Sequence, residues 1–416
     1  MNIWMLNHYA TPPDTPGITR HYDFARELIK HGHKVTIFAS SFEHRTRRDE
    51  RIGKKQFHRM ENIDGVEFAW LRTAPYHGGN DWRRVVNMLS YAFGVVPLGL
   101  NLKEKPQVIL ASSPHPFAGL AGWLLARFKG AEFIFEVRDL WPLTLIEIGG
   151  YSRKSPVVRL LGMLEKFLYK KANRIIVLHP KADNYITKLG ISADKIVHIP
   201  NGVSPELFLL NEPLPPELEQ LILNLKASNK TIVLYTGAHG AVNALDTILE
   251  AARSIQGSGH AAVHFLLVGD GPEKDSLIEY SKKLGLNNID FHGSIPKITI
   301  PGLLRKCDIG ILTWRKSALY QYGMSINKLW DYMMSSMPVA WAIDTPVNPV
   351  EKSACGITVP PEDPQALAEA ILKLCNMNKQ EWQEMGMRGH EYVLKYHSTP
   401  VLAGQLLEVM LDICAK

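Results

Sequence analysis

The chain has 416 residues, roughly twice what one hydrophobic core organises, so two domains are expected. With 46% apolar and 21% charged residues and no low-complexity stretch, extensive disorder is excluded, and a net charge of +6 gives no reason to expect a nucleic-acid partner. The four cysteines, Cys307, Cys355, Cys375 and Cys414, form no Cys-x-x-Cys pair and have no zinc-like spacing with histidine, so neither a disulfide scaffold nor a metal site is expected.

The amino terminus, MNIWMLNHY, has neither the cationic region nor the apolar run of a secretory signal, and a cytoplasmic protein with reduced cysteines is expected. A strand over Asn2 to Leu6 leads into the Pro-rich turn TPPDTPG. From Thr19 to His31, Tyr22, Ala25, Leu28 and Ile29 repeat at helical spacing, and Gly32 ends the helix. Gly17 allows close backbone approach to a ligand, while the helix start, with Arg20 in its first turn, suits an anion such as phosphate. A glycine needed only by the turn is the alternative.

Strands are expected next at Lys34 to Ala39 and Val66 to Trp70. Between them, residues 43 to 60 hold seven Lys or Arg against three acids, a cluster suited to phosphates, to anionic lipid or simply to water. Residues 85 to 102 carry no charge, but Pro97, two glycines and two asparagines argue against a membrane span. A buried helix is the leading reading and a helix lying in the headgroup region the other.

A strand over Val108 to Ser112 leads to SSPHP, where prolines on both sides of His115 can present its imidazole at a helix start, to a substrate hydroxyl or to local packing. The strand Glu132 to Glu136 ends in EVRD. Glu136, Arg138 and Asp139 can position an acceptor hydroxyl, accept its proton or clamp a phosphate, unless they form a structural pair at the turn. After a strand over Arg174 to Leu178, the boundary falls near Ile199-Pro200-Asn201-Gly202, and LFLLNEPLPPELEQ suits a connector.

A second alternating series follows, with strands at Thr231 to Tyr235, His264 to Val268, Ile289 to His292, Ile309 to Leu312 and Val339 to Ala342. Gly237 and Gly240 flank His239 in a strand-to-helix loop that can cradle a pyrophosphate. The loop at Gly269 reads as a structural turn, and neither fits the dinucleotide fingerprint. In YQYGMSINKLWDYM, a Gly323-Met324-Ser325 turn precedes a helix start with Asn327 and Lys328, a candidate diphosphate site, and Asp331 can accept from ribose hydroxyls. The fold class is therefore α/β, two doubly wound Rossmann-like domains facing a central cleft: residues 1–199, then 200–396, with a helix at about 397–416 returning to the first.

In this order, PGITRHYDFARELIKHGHKVTIFAS, SSPHP, FEVRDLWP, IPNGV, LLVGDGPE and SINKLWDYM resemble the family-4 glycosyltransferases of GT-B fold over nearly the whole chain. EVRDLWP with SINKLWDYM looks closest to the bacterial surface-polysaccharide branch, including N-acetyl-L-fucosamine transferases of O-antigen and capsule assembly. The resemblance implies a metal-independent, retaining enzyme without a cofactor. Its donor would be a nucleotide diphosphate sugar, usually UDP-linked, held mainly by the second domain, and its acceptor a polyprenyl-diphosphate-linked saccharide at the inner membrane face. It implies a donor-sugar contact for His115 and a ribose contact for Asp331.

Two departures stand out. The first of the family's paired glutamates is Gly323 here, so sugar contacts would fall to the amides of Gly323 to Ser325. The usual arginine and lysine are missing from TGAHGAVNALD, which leaves the diphosphate to Lys328, His239 and helix-start amides, helped by Arg20 or Arg138. The competing expectations are a nucleotide-sugar 2-epimerase of the same fold and a non-catalytic nucleotide-sugar-binding partner.

Overall fold

The computed structural model describes residues 1–416 except 16, 44–46, 50, 54, 77–81 and 416. Pro16 of the Pro-rich turn, Arg45 and Lys54 of the basic cluster, and Lys416 thus lie outside the described residues.

The first domain is built on an eight-stranded sheet. Its strands are β1 (Asn2–Leu6) and β2 (Lys34–Ser40), then, after the small hairpin β3 (Phe42–Glu43) and β4 (Arg48–Asp49), β5 (His58–Ile63), β6 (Val66–Leu71), β7 (Val108–Ser112), β8 (Glu132–Val137), β9 (Arg174–Val177) and β10 (Ile196–His198). The order is β10-β9-β8-β7-β1-β2-β6-β5, parallel except for the β5–β6 edge pair. The second domain holds β11 (Thr231–Thr236), β12 (Val263–Val268), β13 (Ile289–His292), β14 (Ile309–Thr313), β15 (Val339–Ala342) and β16 (Gly356–Thr358), ordered β13-β12-β11-β14-β15-β16 and wholly parallel. The hairpin, β5, β10 and β16 were not expected from the sequence, being short or, in β5, polar and exposed.

Both sheets are covered on both faces, which is why their central strands are continuous apolar runs. Alternation still decides which core each residue enters. Ile3 and Met5 pack beneath α1 (Arg20–Lys30) and the C-terminal helix Thr399–Cys414, while Trp4 and Leu6 pack beneath α2 (Trp82–Asn101) and α3 (Pro116–Lys129). In the second sheet Ile232 and Leu234 enter one core, Val233 and Tyr235 the other. After β8 the chain forms α4 (Leu143–Glu147) and α5 (Pro156–Lys171), and α5 packs beside α3. Among the described residues, no helix is long and apolar enough to cross a membrane.

The basic cluster is partly consumed by the fold. Arg51 bonds Asp14 at 2.8 Å and sits over the Trp70 ring, and Arg72 faces Asp49 at 3.7 Å.

Candidate functional site

Loops at the carboxyl ends of the two sheets meet across a cleft, the usual ligand position in such folds. Gly17, Thr19, Arg20 and Asp23 of the first domain and Lys297 and Asn327 of the second line a recess.

On the first-domain side, the charged side chains are largely used within the protein. Arg20 is buried, donates to Glu136 at 2.9 Å and to the carbonyl of Ile199 at 2.8 Å, and also bonds the Pro200 carbonyl. Glu136 also accepts from the Ser112 hydroxyl at 2.8 Å and has His21 Nε2 3.1 Å away. Burial opposes its ionisation, but Arg20, His21 and Arg138 outweigh burial and hold Glu136 well below the usual carboxylate range. In this structure Arg20 and Glu136 are engaged with each other, and the pair fastens β8 and α1 to the interdomain crossing at Ile199–Pro200.

His115 is likewise enclosed. Its Nδ1 caps α3 by accepting from the Ala118 amide at 3.3 Å, and its Nε2 lies 2.8 Å from His8 Nδ1. Burial lowers its pKa to about 3, so the ring is neutral. With Nδ1 accepting, the proton sits on Nε2 and is donated to His8, whose own proton is then on Nε2. His115 thus sets the tautomer of His8. His8, stacked between Tyr9 and Tyr91 just past β1, was missed because nothing in MLNHY marks it beyond its place after the strand. Asp139 is exposed and borders a small recess with Ser113, Trp141, Glu165 and Tyr169; Arg138 is half-buried beside it.

The second-domain side is more open. Gly237 has φ of +135°, and a Cβ there would come within 2.3 Å of Lys328 Cε, so only glycine lets this lysine lie against the loop. Lys328 Nζ donates to the Tyr235 hydroxyl at 2.6 Å and to Asn243 Oδ1 at 3.2 Å. It stands one residue inside the helix Asn327–Met334, whose first turn has no side-chain cap. Beside it, His239 is fully buried, yet neither ring nitrogen has a hydrogen-bond partner among the described residues. Burial, with the charge of Lys274, lowers its pKa to about 4 and leaves a neutral ring. A lysine, a helix start without a side-chain cap and an imidazole with no partner among the described residues form an anion site of the kind a diphosphate needs.

Asp331 and the preceding turn are engaged within the protein. Both Asp331 oxygens accept from Lys297, at 2.6 and 2.5 Å, so the carboxylate is already paired, and Lys297 carries no signal in its own stretch of sequence. Gly323, with φ of +84°, lies so close to Pro180 that a Cβ would sit 2.4 Å from its Cγ. His179 bridges the Arg138 and Gly323 carbonyls at 2.9 and 2.7 Å, Lys181 donates to Tyr322, and Asn201 holds Ser325 through two bonds. Met324 packs against both domains. The turn is thus an interdomain wedge, in which Ser325 accepts two bonds from Asn201. Among the described residues, no three His, Cys, Asp or Glu side chains gather as metal ligands.

Two family descriptions match consecutive parts of the chain: Glycosyl transferase 4-like domain over residues 17–202, and Glycosyl transferases group 1 over residues 230–377. The chain belongs to the family-4 glycosyltransferases, of GT-B fold. It is 23% identical over 276 residues to WbjE of Pseudomonas aeruginosa, named a probable glycosyltransferase, covering 65% of this chain and 66% of that one. Over 240 residues it is 23% identical to WcaI of Escherichia coli K12, a glycosyl transferase provisionally assigned to colanic acid biosynthesis, covering 57% and 58%. The matches thus span somewhat less than two thirds of these relatives. Anabaena HepE, solved in complex with UDP-glucose, superposes with a TM-score of 0.68 at 15% identity, covering 99% of this chain and 100% of that one.

Proposed function

We propose that this glycosyltransferase moves a sugar from a UDP-linked donor, an N-acetylated amino or deoxyamino sugar, to a polyprenyl-diphosphate-linked saccharide in bacterial surface-polysaccharide assembly. The observation that carries the donor half is the cluster of Lys328, the open start of its helix and the unpartnered His239. The UDP-glucose held by HepE and the colanic acid role given to WcaI support the donor class and the pathway class.

In this reading the acceptor oxygen bonds to the anomeric carbon as the bond from that carbon to the β-phosphate oxygen breaks. The negative charge that develops on the leaving diphosphate is met by Lys328, His239 N–H and helix amides, positioned before the reaction begins. With Glu136 engaged elsewhere, the leaving phosphate takes the acceptor proton in a front-face, retaining route. Asp139 orients the acceptor at the cleft mouth, and Arg138 adds positive charge nearby. The Asp331–Lys297 pair offers an acceptor and a donor to the nucleoside.

A thermal-shift and hydrolysis screen against UDP-, GDP- and dTDP-sugars tests the proposal. A shift with the UDP class alone, with slow UDP release, is expected. No shift with any nucleotide would withdraw the donor site, and conversion of UDP-N-acetylglucosamine to an epimer without acceptor would replace transfer by epimerisation.

A further inference from the structure

The helical layer over one face of the first sheet is apolar on both of its sides. Inward, α2 buries Tyr91, Val95 and Leu98 against Trp4, Phe38 and Leu71. Outward, it leaves Trp82 69% and Phe93 75% exposed, with Val86 and Leu100 on the same stripe at spacings of four, seven and seven residues. In α5, Val157, Leu160 and Met163 recur every third residue and are 52%, 62% and 64% exposed. Phe128, at the end of α3 between these helices, is 67% exposed. A water-facing helix surface has no use for so many large apolar groups, and a patch of this extent marks an interaction surface.

The charge around the patch identifies the partner. Residues 147 to 171 contain Arg153, Lys154, Arg159, Lys166, Lys170 and Lys171 against two acids, Glu147, which pairs with Arg153 at 3.2 Å, and Glu165. Glu165 points inward, accepting from the Tyr169 and Tyr185 hydroxyls at 2.8 and 2.9 Å. Burial pushes its pKa up to about 8, so it brings no negative charge to the surface near neutral pH. A symmetric second copy seated here would set this cationic segment against itself. Apolar groups framed by lysine and arginine instead match the headgroup zone of an anionic bilayer.

We propose that the outer face of α2, α3 and α5 is a docking surface for an anionic lipid bilayer, with the apolar side chains entering the headgroup zone and the cations of residues 154 to 171 on lipid phosphates. This deepens the preceding reading and rests on it only for the purpose of docking. Glu165 and Tyr169 of α5 line the recess that Asp139 borders, so the face that meets lipid is one helix away from the acceptor end of the cleft.

Flotation of the full chain with phosphatidylcholine vesicles, with and without phosphatidylglycerol, tests the surface. Binding is expected to phosphatidylglycerol vesicles and to weaken with salt. The pairs Leu160→Ser with Met163→Ser, and Arg159→Glu with Lys166→Glu, are each expected to weaken it at least about tenfold, with unchanged melting temperature because all four side chains are exposed. Arg48→Glu, in the separate basic cluster, is expected to leave it within about twofold. No binding by the parent chain, or equal binding by the α5 variants, overturns the proposal. So does a concentration-dependent dimer that Leu160→Ser with Met163→Ser dissolves. Donor hydrolysis without vesicles is scored separately: vesicle binding lost through α5 in a chain that hydrolyses no nucleotide sugar supports the surface and removes the transferase reading, whereas hydrolysis without vesicle binding keeps the transferase and removes the surface.

Discussion

The two walls of the cleft hold similar residues and use them differently. In the first domain, Arg20, Glu136, His8 and His115 find partners inside the protein before any ligand arrives. In the second, His239 is as buried as His115 but its ring nitrogens have no partner among the described residues, and Lys328, bonded to Tyr235 and Asn243, stands at a helix start without a side-chain cap. The difference in unspent hydrogen-bonding capacity lies in His239: one wall fixes the architecture of the crossing between domains, and the other keeps an imidazole that a diphosphate would satisfy beside the charge of Lys328.

Removing a member of the closed network should have the largest effect. Glu136→Ala leaves the buried Arg20 guanidinium without its carboxylate and is expected to lower stability by about 3–5 kcal/mol in denaturant titrations. UDP affinity of the folded fraction should stay within about twofold. A stable variant that has lost only turnover would show that Glu136 is catalytic after all and would end the contrast between the walls.

Glu165 sharpens the contrast through pH. Its pKa is raised from 4.5 to about 8 on folding, so the native state holds a proton that the unfolded chain has already released. This group therefore favours the fold fully below about 4.5 and loses that contribution as pH rises to about 8. Glu165→Gln, neutral at every pH, should flatten this decline, changing the difference in stability between the ends of the window by roughly a few kcal/mol. Parallel stability curves for parent and variant would place an ionised carboxylate at this position.

On the open wall, Lys328→Ala removes a charge-assisted contact of about 1.5–3 kcal/mol, so calorimetry should find UDP affinity lower by about ten- to a hundredfold while uridine binds as before. Equal weakening of uridine would move Lys328 from the diphosphate to the nucleoside.

Much of the fold was legible because continuous runs such as IWML and TIVLY can only be parallel strands covered on both faces, and such runs bound the helices between them. β5 was not legible, since HRMENI on a sheet edge has the composition of a loop. At the site, Gly237, His239 and Lys328 could be grouped in advance because each belongs to a strand-to-helix loop or helix start of one domain. The fates of Arg20, Glu136 and Ser325 could not, because their partners at Pro200, His21 and Asn201 are fixed by how strand ends and domains meet. Lys297, 34 residues from Asp331, was hidden for the same reason. Sequence locates chemistry at strand ends, but whether that chemistry is already satisfied is decided by long-range contact.

The smallest expected effect compares the two histidines directly. Phenylalanine keeps a ring of similar shape and removes both nitrogens. At position 115 it removes the side-chain acceptor of the Ala118 amide, which keeps its bond to the carbonyl of residue 115, and takes away the donor to His8 Nδ1, so His115→Phe should lower stability by about 1–3 kcal/mol. At position 239 no bond is broken, and the ring still packs between Tyr235 and Phe291, so His239→Phe should change stability by less than about 1 kcal/mol. Its effect should fall on the ligand, with UDP affinity reduced about two- to tenfold for the loss of one neutral hydrogen bond, whereas His115→Phe should leave that affinity nearly unchanged. Stability losses of equal size in the two variants would mean that His239 is satisfied within the protein, and the open wall would then rest on Lys328 and the helix start alone.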